Sequence, residues 1–267
     1  MSRGALRRIA RRALGRAPAL TVSEARGLRL LHVGGEAVQS AMRLDDPHAL
    51  ALDYTRCMMA FLLFHPEPRE ILMIGLGGGS LAKFAHRQLR GASTRVVELD
   101  ERIVALARSL FHLPPDDARL AIEVGDGAEA LAPGCADVLV VDGFDDESVP
   151  GALVSQPFFD AAWAALAERG VLVMNLMSDD PQLDRVLQRM ERSFGGAVLC
   201  LPALSDPNVI AFALKGAPRA LAWSALRSAA ERLQSRYGLP FGRYVNALRR
   251  MNACTATELM VVAEPAR

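Results

Sequence analysis

The stretch "ILMIGLGGGSLAKF", residues 71–84, decides the fold. An apolar run stops at Gly75, Gly77, Gly78 and Gly79 follow, and a helix-like pattern then resumes. A short apolar run of this kind reads as a strand buried on both faces. Glycines between such a strand and a helix permit positive φ and let main chain approach a ligand closely. In open α/β sheets, ligands bind beyond the carboxyl ends of the strands. Taken alone, the loop also suits a plain tight turn.

The pattern on both sides is regular. Strands are predicted at 70–75, 94–99, 120–124, 136–143 and 170–177, with 197–202 and 209–214 closing the series as an antiparallel pair. Helices are predicted at 79–90, 100–111, 157–169 and 181–194, a short one near 127–131, and terminal helices over 219–250. Upstream, two short strands flank Gly34-Gly35 within 27–43, a helix runs over 47–63 from Asp45-Asp46-Pro47, and "HPEPRE" (65–70) is a proline-broken linker. Alternating strands and helices predict an α/β fold: a doubly wound, mostly parallel sheet of the methyltransferase-like Rossmann type, with a small N-terminal β region. The expected division is a basic tail (1–26), a β-hairpin and helix (27–65), a nucleotide-binding domain (66–216) and C-terminal helices (217–267).

Composition sets outer limits. The chain has 267 residues, of which 51% are hydrophobic, enough for a sizeable core. A net charge of +1 gives no overall field favouring nucleic acid. Cys57, Cys135, Cys200 and Cys254 are scattered singly, so neither a disulfide framework nor a zinc site is suggested, which fits a cytoplasmic location. No metal site is expected, because the five histidines show no ligand spacing. The longest apolar run, 57–64, is too short to span a bilayer, so no membrane association is expected. The first 16 residues hold six arginines, no acid and no long apolar core of a secretory signal. They read as a frayed or weakly helical basic tail, or as a contact for a partner.

Three carboxylates sit where a nucleoside and a cation would be held. The dinucleotide pattern G-x-G-x-x-G needs a glycine at 80, where this chain has Ser80; the tighter spacing of Gly75, Gly77 and Gly79 suits an adenosyl-sulfonium ligand. Glu98 ends the next strand, where a carboxylate accepts two charge-assisted hydrogen bonds from a ribose diol. Asp126 follows the third strand, in reach of an adenine amino group or as an N-cap. Asp142 ends the fourth, and with Asp145, Asp146 and Glu147 it places four acids in six positions, either a cation pocket or a solvated loop. Asn175, also at a strand end, reads as facing the ligand or as a turn residue.

Over residues 27–215 the chain resembles the spermidine synthase family, the polyamine aminopropyltransferases. The likeness rests on the glycine loop at 75–80, "VELD" (97–100), "GDG" (125–127), "VDGFD" (141–145), "SQPFFDAAWAALAERGVLVMN" (155–175), the front hairpin with Gln39, and "YTRCMM" (54–59). It implies that Gln39 and Glu98 contact the thioadenosine part, with Gly75, Gly77, Gly79 and Gly127 under it, and that Asp126 meets the adenine. It further implies that Asp142 is the base for the attacking amine, with Tyr54 and Asp145 near the substrate amines. The co-substrate implied is decarboxylated S-adenosylmethionine, or S-adenosylmethionine, with no prosthetic group; the partner is a diamine or polyamine, and the assembly a homodimer. Three stretches depart from the family pattern. Gly78 stands where members carry an aspartate, Tyr54-Thr55-Arg56 replaces Tyr-His-Glu, and Asp142-Gly143-Phe144-Asp145-Asp146 replaces Asp-Ser-Ser-Asp-Pro. The readings that compete with aminopropyl transfer are an S-adenosylmethionine-dependent methyltransferase and a non-catalytic thioadenosine-binding protein.

Overall fold

The computed structural model describes residues 18–143 and 150–262. An antiparallel sheet opens the chain: β1 (Leu20–Ala25), β2 (Leu28–Val33) and β3 (Val38–Arg43). The β2–β3 hairpin is the one predicted around Gly34-Gly35. Strand β1 lies in the stretch expected to be basic tail. Its signal is a two-residue turn, Arg26-Gly27, with both residues at positive φ (52° and 76°) and Ala25 paired to Leu28. That backbone matches the right-handed twist of a tight hairpin.

The predicted helix over 47–63 is much shorter. Helix α1 (Asp53–Met58) passes directly into a 3-10 turn, Met59–Leu63, and both are buried nearly throughout. Pro47 lies in a turn closed by the N–H of Ala49 on the carbonyl of Asp46, not at a helix start. The start of α1 is fixed by side chains rather than by proline. Asp53 is buried and accepts hydrogen bonds from the backbone N–H groups of Leu204 and Ser205, and from Arg56 at 3.3 Å. Asp206 accepts from the N–H of Tyr54 at 3.0 Å.

The central sheet contains β4 (Glu70–Ile74), β5 (Ser93–Glu98), β6 (Leu120–Val124), β7 (Ala136–Val141), β8 (Leu166–Met177), β9 (Val198–Pro202) and β10 (Asn208–Leu214). Their order is β6-β5-β4-β7-β8-β10-β9. The five strands from β6 to β8 are parallel, and β10 runs antiparallel to both β8 and β9. The order reverses at β4, which places the crevice beyond the carboxyl ends of β4 and its neighbours. Alternate residues of the central strands enter two cores. Ile71, Met73, Val138, Val140, Val171 and Val173 face one, and Leu72, Ile74, Leu139, Val141, Leu172 and Met174 face the other. The period of two therefore survives inside runs that are apolar at every position.

Helices α2 (Ser80–Gln88) and α3 (Glu101–Leu110) cover one face, joined by α6 (Trp223–Tyr237) and α7 (Phe241–Met251); α4 (Gln156–Ala165) and α5 (Leu183–Ser193) cover the other. Strands β11 (Ala220–Ala222) and β12 (Glu258–Met260) pair beside the terminal helices. The short helix predicted near 127–131 is a turn, closed by Asp126 accepting from the N–H of Ala128 at 2.8 Å. The helix expected over 157–169 ends at Ala165, and β8 begins at Leu166, four residues before the predicted strand.

Replacing Asp53 by Ala leaves two backbone donors and a guanidinium without their acceptor. A loss of about 2–3 kcal/mol in urea unfolding is expected. An unchanged midpoint would mean that other contacts hold the 203–207 loop.

Candidate active site

The glycine loop leaves β4 with Gly75 at φ 93°, Gly77 at 52° and Gly79 at 71°. Its path is a consequence of close packing. A Cβ at Gly75 would lie 2.4 Å from the carbonyl oxygen of Asp142, and one at Gly79 would lie 2.8 Å from Leu113 Cδ1. Gly127 is required for a different reason: a Cβ there would stand 2.2 Å from Ile74 Cγ2. Helix α2 starts at Ser80 with no side-chain cap and no acid in its first turn.

Beyond the loop lies a cavity of about 720 Å³, within the ~300–1,000 Å³ usual for small-molecule sites. Gln39, Tyr54, Gly75, Gly77, Glu98, Asp126, Gly127 and Asp142 all line it. Strand ends from four strands of the central sheet thus meet side chains from β3 and α1. Gly79 is absent from the lining and acts as the left-handed residue that starts α2. Asp145 lies outside the described residues, as do Phe144, Asp146 and Glu147.

Glu98 is buried, with Oε2 accepting from the N–H of Leu76 at 2.8 Å and Oε1 from the N–H of Asp100 at 3.0 Å. The carboxylate is thereby fixed in orientation. Each oxygen keeps a lone pair for a ligand hydroxyl. Leu99 and Val124, 71% and 57% exposed, form an apolar rim on the same side.

Asp142 sits on the other side of β4. Its Oδ1 accepts from Asn175 Nδ2 at 2.9 Å and its Oδ2 from the Tyr54 hydroxyl at 3.3 Å. Burial pushes its pKa up to about 6, and these two hydrogen bonds oppose that rise. Burial, with the charge of Asp142 beside it, pushes the Tyr54 phenol well above its ordinary value. Asn175 is 2% exposed, and its Oδ1 accepts from Asn208 Nδ2 at 2.9 Å. Asn175 therefore orients the acid rather than the ligand. Asn208 has no sequence signal, because its role depends on β10 lying beside β8.

The departures at 55 and 56 also find places. Thr55 donates to the carbonyl of Leu52 at 2.7 Å, and Arg56 is held by Asp53 and the carbonyls of Leu50 and Ala51. The positive charge is engaged in anchoring α1. Among the described residues, no group of three or more His, Cys, Asp or Glu side chains is placed to hold a metal ion, and no helix is long and apolar enough to cross a membrane.

Sheet order and cleft define a Rossmann-type domain of the methyltransferase-like class. Residues 52–200 match the family model described as "Spermine/spermidine synthase domain". A polyamine aminopropyltransferase of Chromobacterium violaceum is 39% identical over 257 residues, covering 96% of this chain and 98% of that protein. The chain belongs to the spermine/spermidine synthase family. Among solved structures, a probable spermidine synthase from Corynebacterium glutamicum superposes with a TM-score of 0.68 at 22% identity, covering 90% of this chain and 95% of that one. Human methyltransferase-like protein 13 in complex with SAH superposes with a TM-score of 0.63 at 24% identity, covering 77% and 96%.

Gly75→Ala combines left-handed backbone with a clash against the Asp142 carbonyl, so a loss of about 3 kcal/mol or more in denaturant unfolding is expected. Gly134→Ala also has positive φ (66°) but open space around the new methyl group, and should lose only about 1 kcal/mol. Equal losses would mean that the loop relaxes away from β7.

Proposed function

We propose that this chain transfers an aminopropyl group from decarboxylated S-adenosylmethionine to an amine acceptor such as putrescine, with Asp142 as the base. One observation carries the reading: Asp142 opens into the same cavity as Glu98 and Asp126, but across the glycine loop from them. The nucleoside is assigned to the β5–β6 side, with Glu98 accepting from the ribose hydroxyls and Asp126 from the adenine amino group. Gln39 contacts the thioadenosine part, and Gly75, Gly77 and Gly127 keep the floor free of side chains. Gly79, through its left-handed turn, sets the direction of α2. Family membership supports the same reaction.

The acceptor nitrogen forms a bond to the methylene next to sulfur. The carbon–sulfur bond breaks, and its electron pair leaves with methylthioadenosine. Sulfonium is already a good leaving group, so orientation of the two reactants is the main demand on the protein. The acceptor must lose a proton first. An alkyl ammonium with a pKa of about 10.4 is free base in roughly one molecule in two thousand at pH 7, a barrier contribution of about 4–5 kcal/mol. Asp142 binds the ammonium as a carboxylate and takes that proton. Tyr54, on Asp142 Oδ2, holds the carboxylate toward the substrate amines. Asp145 is assigned to the acidic mouth by family resemblance. The same resemblance supports a homodimer, and the singly scattered cysteines fit a cytoplasmic location.

Methyl transfer is the second reading, favoured by the likeness to the human methyltransferase-like protein that holds SAH. Mass spectrometry of products from the protein, a panel of diamines and either decarboxylated or intact S-adenosylmethionine separates the two. An aminopropylated amine is expected. Methylated amine appearing only with the intact donor would overturn the assignment.

Asp142 must be ionised to bind an ammonium, so kcat/KM should fall about tenfold per pH unit below about pH 6. Asn175→Leu removes a hydrogen bond that favours the ionised form, and should move this acid limb to higher pH. A limb that stays in place would mean that another group controls it.

Asp142→Asn should cut turnover strongly while methylthioadenosine still binds. The folded protein binds the Asp142 proton more tightly than the unfolded chain does. The cost of ionising it in the fold is absent below about pH 4 and complete above about pH 6. The Asn variant should therefore be more stable than the parent at pH 8 by about 1–3 kcal/mol, and gain nothing at pH 4. Thermal unfolding at the two pH values reads this directly.

A further inference from the structure

The two ends of the cavity differ in charge. On the nucleoside side the lining includes Glu98, Glu101, Asp126 and Asp100, the last paired with Arg102. On the side where a substituent on sulfur would extend, it is formed by Gly77, Ser40, Ser80 and Thr55, and Asp142 is the only carboxylate among the described residues there. The hydroxyls of Ser80 and Thr55 donate to the carbonyls of Ala41 and Leu52. Ser40 is different. It is 6% exposed, its Oγ has no hydrogen-bond partner among the described residues, and it faces the bare backbone of the loop. A Cβ at Gly77 would lie 3.6 Å from that oxygen, and one at Gly78 would lie 2.8 Å from it.

The same wall receives the start of α2, nine residues long, with no cap and no acid in its first turn. Its unpaired N–H groups and dipole favour an anion. The loop has no room to supply a carboxylate of its own at 78. A side chain there would also meet Phe111 Cδ1 at 2.8 Å; Phe111 is fully buried, and its carbonyl is tied to Lys83 Nζ at 2.6 Å.

We propose that this end of the cavity binds the α-carboxylate of an amino-acid tail, so that intact S-adenosylmethionine occupies the pocket in competition with its decarboxylated form. The tail carboxylate accepts from Ser40 Oγ and the N–H groups at the start of α2, while the tail ammonium faces Asp142. The proposal rests on the reading of the cavity as an adenosyl-sulfonium site. It adds a regulation: the intact donor inhibits aminopropyl transfer competitively.

Titration calorimetry on the full chain with methylthioadenosine, S-adenosylhomocysteine and both forms of the donor tests it. S-adenosylhomocysteine should bind about tenfold more tightly than methylthioadenosine, the gain expected of charge-assisted hydrogen bonds to the tail. S-adenosylmethionine should bind at least as tightly as the decarboxylated form. Ser40→Ala should bring the ratio of the first two affinities close to one, and Ser40→Asp should invert it. If either variant fails to fold, the comparison on the parent protein decides. Methylthioadenosine binding as tightly as S-adenosylhomocysteine overturns the proposal and leaves the nucleoside site standing, as does a decarboxylated donor preferred by tenfold or more. Failure of methylthioadenosine to bind at all overturns both.

Discussion

At the switch in strand order, β4 and β7 run so close together that position 75 has no room for a side chain. The carbonyl of Asp142 would stand 2.4 Å from any Cβ there. The ladder bonds continue past both strand ends, from the N–H of Asp142 to the carbonyl of Ile74 and from the N–H of Gly75 to that of Val97, each at 2.9 Å. Bare backbone and acid are thus parts of one contact. The loop that leaves space for a nucleoside is the loop that sets Asp142 beside it, and a side chain at 75 would disturb both.

Asp142 is held between opposing effects. Burial favours its neutral form, and the donors Asn175 and Tyr54 favour its charged form. The result is a carboxyl that changes charge near pH 6, within reach of a substrate ammonium. The donors come from distant parts of the chain. Asn175 is fixed by Asn208 across the β8–β10 pairing, and Tyr54 by a short helix that Asp53 and Asp206 tie to the 203–207 loop. The final hairpin of the sheet therefore supports the acid from both sides. This arrangement also accounts for Arg56, whose charge is turned to Asp53 and nearby carbonyls and so need not oppose a cationic substrate.

The central architecture was legible from residues 70–177 because β4 to β7 are short, largely apolar runs ended by a glycine or an acid, and β8 carries the apolar run 171–174. The sites at 98, 126 and 142 were legible for the same reason: strand ends are where chemistry gathers in this fold. The readings that failed were local ones. Strand β1 is too polar to be seen by its apolar content, and only the Arg26-Gly27 turn marks it. The segment 57–63 is apolar on all sides, so it has no helical period to count, and its buried setting allows a 3-10 path. Asp126 closes a turn rather than a helix because the chain is already bending toward β7 within a few residues.

By itself the sequence determined the alternation of strand and helix, the glycine backbone at the switch point and the three acids at successive strand ends. These follow from spacing along the chain, which sets period and position without reference to distant residues. Only the tertiary structure decided that Asn175 and Asn208 serve Asp142, that Tyr54 reaches it from helix α1, and that Ser40 faces Gly77 and Gly78. Each of those contacts joins residues from different elements of the chain. Hydrogen-bond geometry and burial exist only once the strands are laid side by side.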